Sequence, residues 1–335
     1  MKSNILVTGA TGFLGQHLVK RLAEDGFKVT AIGRNRTIGS TLPQEVRFVE
    51  VSLEDRNGIF QVMQNQDVVI HCGALSSVWG KYEDFYNTNV FGTQNMVDAA
   101  LFYSIKRFVH VSTPSIYFSL QERSKINVKE DSALPNPAVN NYAKTKRMAE
   151  EVVDEAFNHG LPTITIRPRA LFGPGDNAII PRLIKTNQKS GLPFIDGARI
   201  LTDITYVENV VDAICLCLFS DERTLGKKYN ITNGEPMYLN ELLEKVFLLL
   251  GQPIKKKEMK YETILLAASF LEKTYRLFNI KKEPIITPYT VTVLAHSQTL
   301  NIDAAKTELG YKPRISVEEG INKFAEWWNT QNVDI

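Results

Sequence analysis

Short apolar runs and helix-period segments alternate along the first half of the chain. Ile5 to Val7 is followed by a small-residue turn and then by Leu14, Leu18, Val19 and Leu22 at helical spacing. Further apolar runs lie at 28–32, 46–51, 67–71 and 107–111, each leading into a polar or small-residue turn. Strands that read as continuous apolar runs, separated by amphipathic helices, predict an α/β fold: a doubly wound parallel sheet of the Rossmann type, covered on both faces. Residues 82–103 read as one long helix with apolar positions on more than one face, so burial on two sides is expected, against the sheet and against another subunit. Past Phe172 the alternation breaks into short irregular pieces, including a helix over 238–250, and only 203–231 looks like a return to the sheet. The expected division is therefore 1–170 plus 203–231 for the sheet unit, and 171–202 plus 232–335 for a smaller, discontinuous lobe. No internal repeat or low-complexity tract interrupts this order.

The turn after the first run is Gly9-Ala10-Thr11-Gly12-Phe13-Leu14-Gly15. A strand enters it and a helix leaves it, and glycines there let the backbone take positive φ and approach a diphosphate lying on the helix N-terminus. A dinucleotide site is expected. The second strand should end at the adenosine ribose, where an acidic residue would bind the hydroxyls of NAD. This chain has Arg34, followed by Asn35 and Arg36, which suits a 2′-phosphate and favours NADP(H) over NAD(H). Ser52-Leu53 and Gly73-Ala74 follow the third and fourth strands and should leave room for adenine and phosphates at the same sheet edge.

Composition narrows the function classes. Lys+Arg 39 against Asp+Glu 37 gives a net charge of +2, too little for the basic field that nucleic-acid binding needs. Met1 to Asn4 run straight into the first strand, so no targeting segment is expected and a cytoplasmic location is. Three cysteines, Cys72, Cys215 and Cys217, are too few for a disulfide framework, and five scattered histidines lack ligand spacing, so no metal is expected.

The fifth run ends in Ser112-Thr113-Pro114-Ser115-Ile116-Tyr117, and further on comes Asn141-Tyr142-Ala143-Lys144-Thr145-Lys146. On a helix Tyr142 and Lys146 share a face, and of twelve tyrosines only Tyr142 has a lysine four residues on. With TGATGFLG, STPSIY and YAKTK in this order, the chain resembles the extended short-chain dehydrogenase/reductases of the epimerase/dehydratase superfamily. Asn87-Thr88-Asn89-Val90-Phe91-Gly92-Thr93, Arg167-Pro168 with Phe172-Gly173-Pro174-Gly175-Asp176, Asp203 to Val211, and Leu309-Gly310-Tyr311-Lys312-Pro313 extend the resemblance over nearly the whole length. The branch most similar in look is that of the 3β-hydroxysteroid dehydrogenases and β-keto acid reductases. The resemblance implies Tyr142 as proton donor and Lys146 as its activating charge and ribose partner. By counting back four from Tyr117, it also implies Thr113 as the third catalytic group. Ser112 is then expected on the strand's other face, and Ser115 in a loop. It further implies Asn89, Ser112, Arg167 and Pro168 beside the cofactor, and a homodimer through the 82–103 and 142–157 helices. Two departures stand out: Ser52 replaces an aspartate that often holds adenine, and Pro114-Ser115 replaces the Asp-Glu of sugar dehydratases.

The remaining feature is the apolar stretch 261–280 with lysines on both flanks, at Lys255-Lys256-Lys257, Lys260 and Lys281-Lys282. Glu272, Lys273 and Arg276 interrupt it well short of the ~20 apolar residues of a membrane span. A pocket lid or core is the expectation, and peripheral contact with a membrane surface is the alternative. Hydride transfer between NADP(H) and a fairly apolar carbonyl or secondary alcohol is the leading function. The alternatives are a nucleotide-sugar epimerase with tightly bound NAD and a non-catalytic NADP sensor.

Overall fold

A computed structural model describes residues 3–121 and 124–331. The large sheet has seven parallel strands. Its first members are β1 (Asn4–Thr8), β2 (Lys28–Gly33), β3 (Arg47–Glu50), β4 (Val68–His71) and β5 (Arg107–Val111). After the short β6 (Lys125–Val128), which lies elsewhere, the chain adds β7 (Thr163–Pro168) and finally the strand Lys228–Ile231. Across the sheet the order runs Lys228–Ile231, β7, β5, β4, β1, β2, β3, with the order reversing between β1 and β4. In such a sheet, ligands lie beyond the carboxyl ends of the strands at the reversal.

Helices cover both faces, which is why β1 and β4 are buried almost along their whole length. One face packs α1 (Phe13–Glu24) and the helix Val207–Phe219, placing Leu18, Val19 and Leu22 with Val210 and Ile214. The other packs the 82–102 and Asn141–Asn158 helices. The first of these is continuous, as expected, but includes a wider π-helical turn, Tyr86–Phe91. Asn89 lies in that turn, buried. Its side-chain oxygen accepts from the Leu75 N–H at 2.7 Å, and its amide donates to Leu75 O at 3.2 Å and Thr145 Oγ1 at 3.1 Å. The bulge thus turns a helix side chain into the clamp for the loop after β4.

The lobe has its own apolar core, with Phe172, Ile184, Phe194, Leu243, Phe247 and Phe324 among its buried members. A separate four-stranded sheet combines Met237–Tyr238, Leu201–Thr202, Gln298–Leu300 and β6. The helix Tyr261–Leu277 turns only Tyr261, Ile264 and Ala268 fully inward, against Ile195 and Val291. No described helix is long and apolar enough to cross a membrane.

One buried ion pair fixes the helix Asn141–Asn158 to the sheet. Arg167 of β7 donates from Nε to Glu150 Oε1 at 2.9 Å and from Nη2 to Oε2 at 2.5 Å, and also to the Tyr117 hydroxyl and to Glu130 O. Both charged side chains are at most 4% exposed. Removing one partner leaves the other charged and dry, which costs about 3–5 kcal/mol. Arg167→Leu should therefore lower the unfolding free energy in urea by that amount. Arg167→Leu with Glu150→Leu should recover most of the loss. A neutral single change would contradict this assignment.

Candidate active site

A cavity of about 880 Å3 runs along the carboxyl edge of the sheet. At its floor is the glycine turn. Gly9 has φ +64°, and a Cβ there would sit 2.8 Å from Gly73 Cα, so the ends of β1 and β4 can meet only as glycines. A Cβ on Gly15 would come within 2.1 Å of Gly9 O, which ties the start of α1 against the turn. No side chain caps α1, whose N-cap is Gly12, so its first N–H groups are left for a ligand. Thr11, Phe13 and Leu14 line the same floor. This cradle fits the diphosphate of a dinucleotide.

At one end of the cavity stand Arg34, Asn35 and Arg36, on the loop after β2, with Ser52 and Leu53 after β3. Asn35 is occupied in capping the turn that follows, accepting from the Ile38 N–H at 3.1 Å. Neither arginine has a carboxylate partner among the described residues. Gly73 and Ala74 line the middle, the former held by its N–H donating to Thr8 Oγ1 at 2.9 Å.

The other end carries hydroxyls. Thr113, Ser112, Ser115 and Tyr142 all face the cavity, with Pro168 across from them. Burial pushes the Tyr142 phenol up to about 12, with the neighbouring Thr113 acting in the opposite direction. Thr113 Oγ1 donates to Ser115 Oγ at 3.1 Å, and Ser115 Oγ is 3.0 Å from the hydroxyl of Tyr289. The result is a chain of three hydrogen-bonded hydroxyls from the sheet edge into the lobe, with Tyr142 lining the same cavity. Ser112 borders the cavity, but its hydroxyl oxygen is buried and has no hydrogen-bond partner among the described residues.

Three residues expected at the cofactor lie behind the wall instead. Asn89 holds Leu75 and Thr145, as described. Arg167 is consumed by Glu150 and Tyr117. Lys146 is buried, donating to Val111 O at 2.9 Å and lying 3.3 Å from His110 Nε2. Burial lowers its pKa to about 8, against the opposing pull of Glu150 and Cys72. Burial also pushes His71 down to about 3, so the imidazoles around Lys146 stay neutral. Lys146, expected to lower the Tyr142 pKa by its charge, is not among the groups that shift the phenol, and its ammonium is anchored on the strand carbonyl.

The stretch 261–280 is no lid. None of its side chains lines the cavity, because its helix spends its inner face on the lobe's own core. The lobe reaches the site through Tyr289 and through Leu171 and Asp176 to Ile179 instead. Tyr289 went unnoticed in the sequence, where Thr287-Pro288 announces a capped helix start but nothing shows which way that helix faces.

Comparisons with known proteins agree with this geometry. Residues 5–232 match the NAD dependent epimerase/dehydratase family. The chain is 30% identical to a 2-alkyl-3-oxoalkanoate reductase of Stenotrophomonas maltophilia, over 95% of this chain and 97% of that one. It is also 30% identical to a decarboxylating sterol-4-alpha-carboxylate 3-dehydrogenase of Candida albicans, over 97% of each. The fold superposes with a TM-score of 0.78 on a UDP-glucuronic acid 4-epimerase from Bacillus cereus in complex with NAD, at 21% identity, covering 98% of this chain and 99% of that one. A Rossmann sheet, a glycine cradle and a Tyr142–Thr113 pair at one edge, together with these matches, place the chain in the NAD-dependent epimerase/dehydratase family as an NAD(P)-dependent oxidoreductase.

Proposed function

We propose that the protein moves a hydride between NADP(H) and the carbonyl or secondary alcohol of an apolar substrate, similar in kind to the β-keto acids and sterols named for its relatives. The observation that carries this reading is that Tyr142 and Thr113 line the far end of the cavity that begins at the glycine cradle. We take 1–170 with 203–231 as the cofactor-binding unit and the rest as the substrate lobe, because the large sheet draws its strands from the former. A homodimer through the 82–102 and Asn141–Asn158 helices is part of the proposal, supported by Tyr86 and Phe91 exposed on the first.

The cofactor, when bound, supplies or accepts the hydride at its nicotinamide. The chain's residues do the rest. Hydride arrival at a carbonyl carbon puts negative charge on its oxygen, which needs a proton and a second hydrogen bond. Tyr142 gives the proton, and Thr113, lining the same end of the cavity, supplies the second hydrogen bond. Ser115, bonded to both Thr113 and Tyr289, holds the threonine hydroxyl in place. Lys146 supplies positive charge to the region and holds the tyrosine helix on β5 through Val111 O.

Titrations with NADPH and NADH test the cofactor reading. The free Arg34 should favour NADPH, and Arg34→Ala should remove most of the gap, about tenfold to a hundredfold for a charge-assisted hydrogen bond. Equal affinities in the unaltered protein would contradict it.

Catalysis has two tests. Tyr142→Phe and Thr113→Val should each lower kcat by orders of magnitude while NADPH affinity stays nearly intact, read by stopped-flow hydride transfer and by titration. Lys146, with its pKa lowered to about 8, is charged below that value and neutral above it. The kcat/KM for ketone reduction should therefore fall as pH rises through about 8. A profile flat across that value would show that the ammonium's charge is not used.

A further inference from the structure

The outer face of the helix Tyr261–Leu277 is apolar and uncovered. Leu266, Phe270 and Leu277 recur at helical spacing opposite the buried Tyr261, Ile264 and Ala268, and they are 72%, 74% and 80% exposed. Phe278, Ile280 and Ile285 continue the patch past the helix end, with Ile285 92% exposed. Scattered exposed apolar residues need no explanation, but a contiguous patch of this kind marks an interaction surface. Its rim is basic. Between 255 and 285 the sequence has eight lysines and arginines against four glutamates, in a chain whose net charge is +2. Glu272 is taken by Arg276 and Glu283 by Arg182. Lys260, Lys273, Lys281 and Lys282 are exposed and have no carboxylate partner among the described residues.

We propose that this face docks on an anionic lipid bilayer, with the aromatic and aliphatic side chains in the headgroup boundary and the lysines on the lipid phosphates. The chemistry is that of an interfacial helix: an apolar convex face with cationic flanks and too little length to span. A second copy of the chain fits the face poorly. An isologous contact would set the same lysine rims against each other, with no acidic patch to answer them. The patch also adjoins the cavity wall. Trp79 donates from Nε1 to Ile280 O at 3.2 Å and packs against Tyr275 and under Arg276, and its neighbours Ser76, Ser77 and Val78 line the cavity. A substrate dissolved in the bilayer would therefore meet the site without crossing water. That last point rests on the apolar-substrate reading; the docking does not.

Flotation of the purified chain with vesicles tests the proposal without any assay of turnover. The protein should rise with vesicles of equimolar phosphatidylglycerol and phosphatidylcholine. It should stay behind with phosphatidylcholine alone, and added salt should weaken its retention. Lys281→Ala with Lys282→Ala should weaken binding about fivefold per lysine. Phe270→Gln with Leu277→Gln should weaken it about tenfold or more. All four side chains are exposed, and unchanged NADPH affinity with an unchanged circular dichroism spectrum confirms that the variants fold. The proposal is overturned if the chain fails to float with anionic vesicles, or floats equally with both lipids and ignores both pairs of changes. It is equally overturned if sedimentation velocity shows a dimer that Phe270→Gln with Leu277→Gln dissolves, which would give the face to a second copy.

Discussion

The position of Tyr142 depends on how one helix is fastened to two strands. Along the helix Asn141–Asn158, Tyr142, Lys146 and Glu150 recur every four residues and so form one polar stripe facing the protein interior. Lys146 hydrogen-bonds to the carbonyl at the end of β5, and Glu150 pairs with Arg167 of β7. Dry polar contacts of this kind are costly to leave half made, so they fix the helix's rotation more sharply than apolar packing would. As a consequence, the phenol is delivered to the cavity that Thr113 also lines. Asn89, through Thr145, fastens the next helix to the same frame.

The cofactor end is governed by a different constraint, that of close backbone approach. Gly9 and Gly73 bring β1 and β4 together where the strand order reverses, and Gly15 seats the uncapped start of α1 against the turn. The two ends thus use opposite means. One excludes side chains so that main-chain N–H groups can meet an anion, and the other concentrates hydroxyls where charge develops on an oxygen.

Much of this was legible in the sequence because it is local. A glycine turn between a strand and a helix, an arginine after the second strand, and Tyr142 one turn from Lys146 all follow from spacing alone. What was not legible depends on which way a side chain faces across distance. Arg167 looked like a cofactor ligand beside Pro168, but whether it faces the cavity or the helix depends on Glu150, seventeen residues away and on another element. Ser112 and Thr113 are adjacent on one extended strand end, where alternation predicts opposite faces. The strand stops at Val111, and the chain bends into the short helical turn Pro114–Tyr117, so both residues border the cavity while the Ser112 oxygen stays buried. The stretch 261–280 was apolar enough for a lid, and periodicity could not tell which of its two apolar faces would be covered.

Hydride transfer to an apolar carbonyl, with release of the spent cofactor each turnover, is what the proposed function requires. The most direct measurement follows isotope rather than absorbance: the protein with a 2-alkyl-3-oxo acid and NADPH carrying deuterium at the transferable position of the nicotinamide, analysed by mass spectrometry of the product. Deuterium is expected at the new carbinol carbon in equal amount to the NADP+ formed, over many turnovers. The proposed function would be contradicted by a product without deuterium, or by a cofactor that stays bound while the protein interconverts nucleotide sugars.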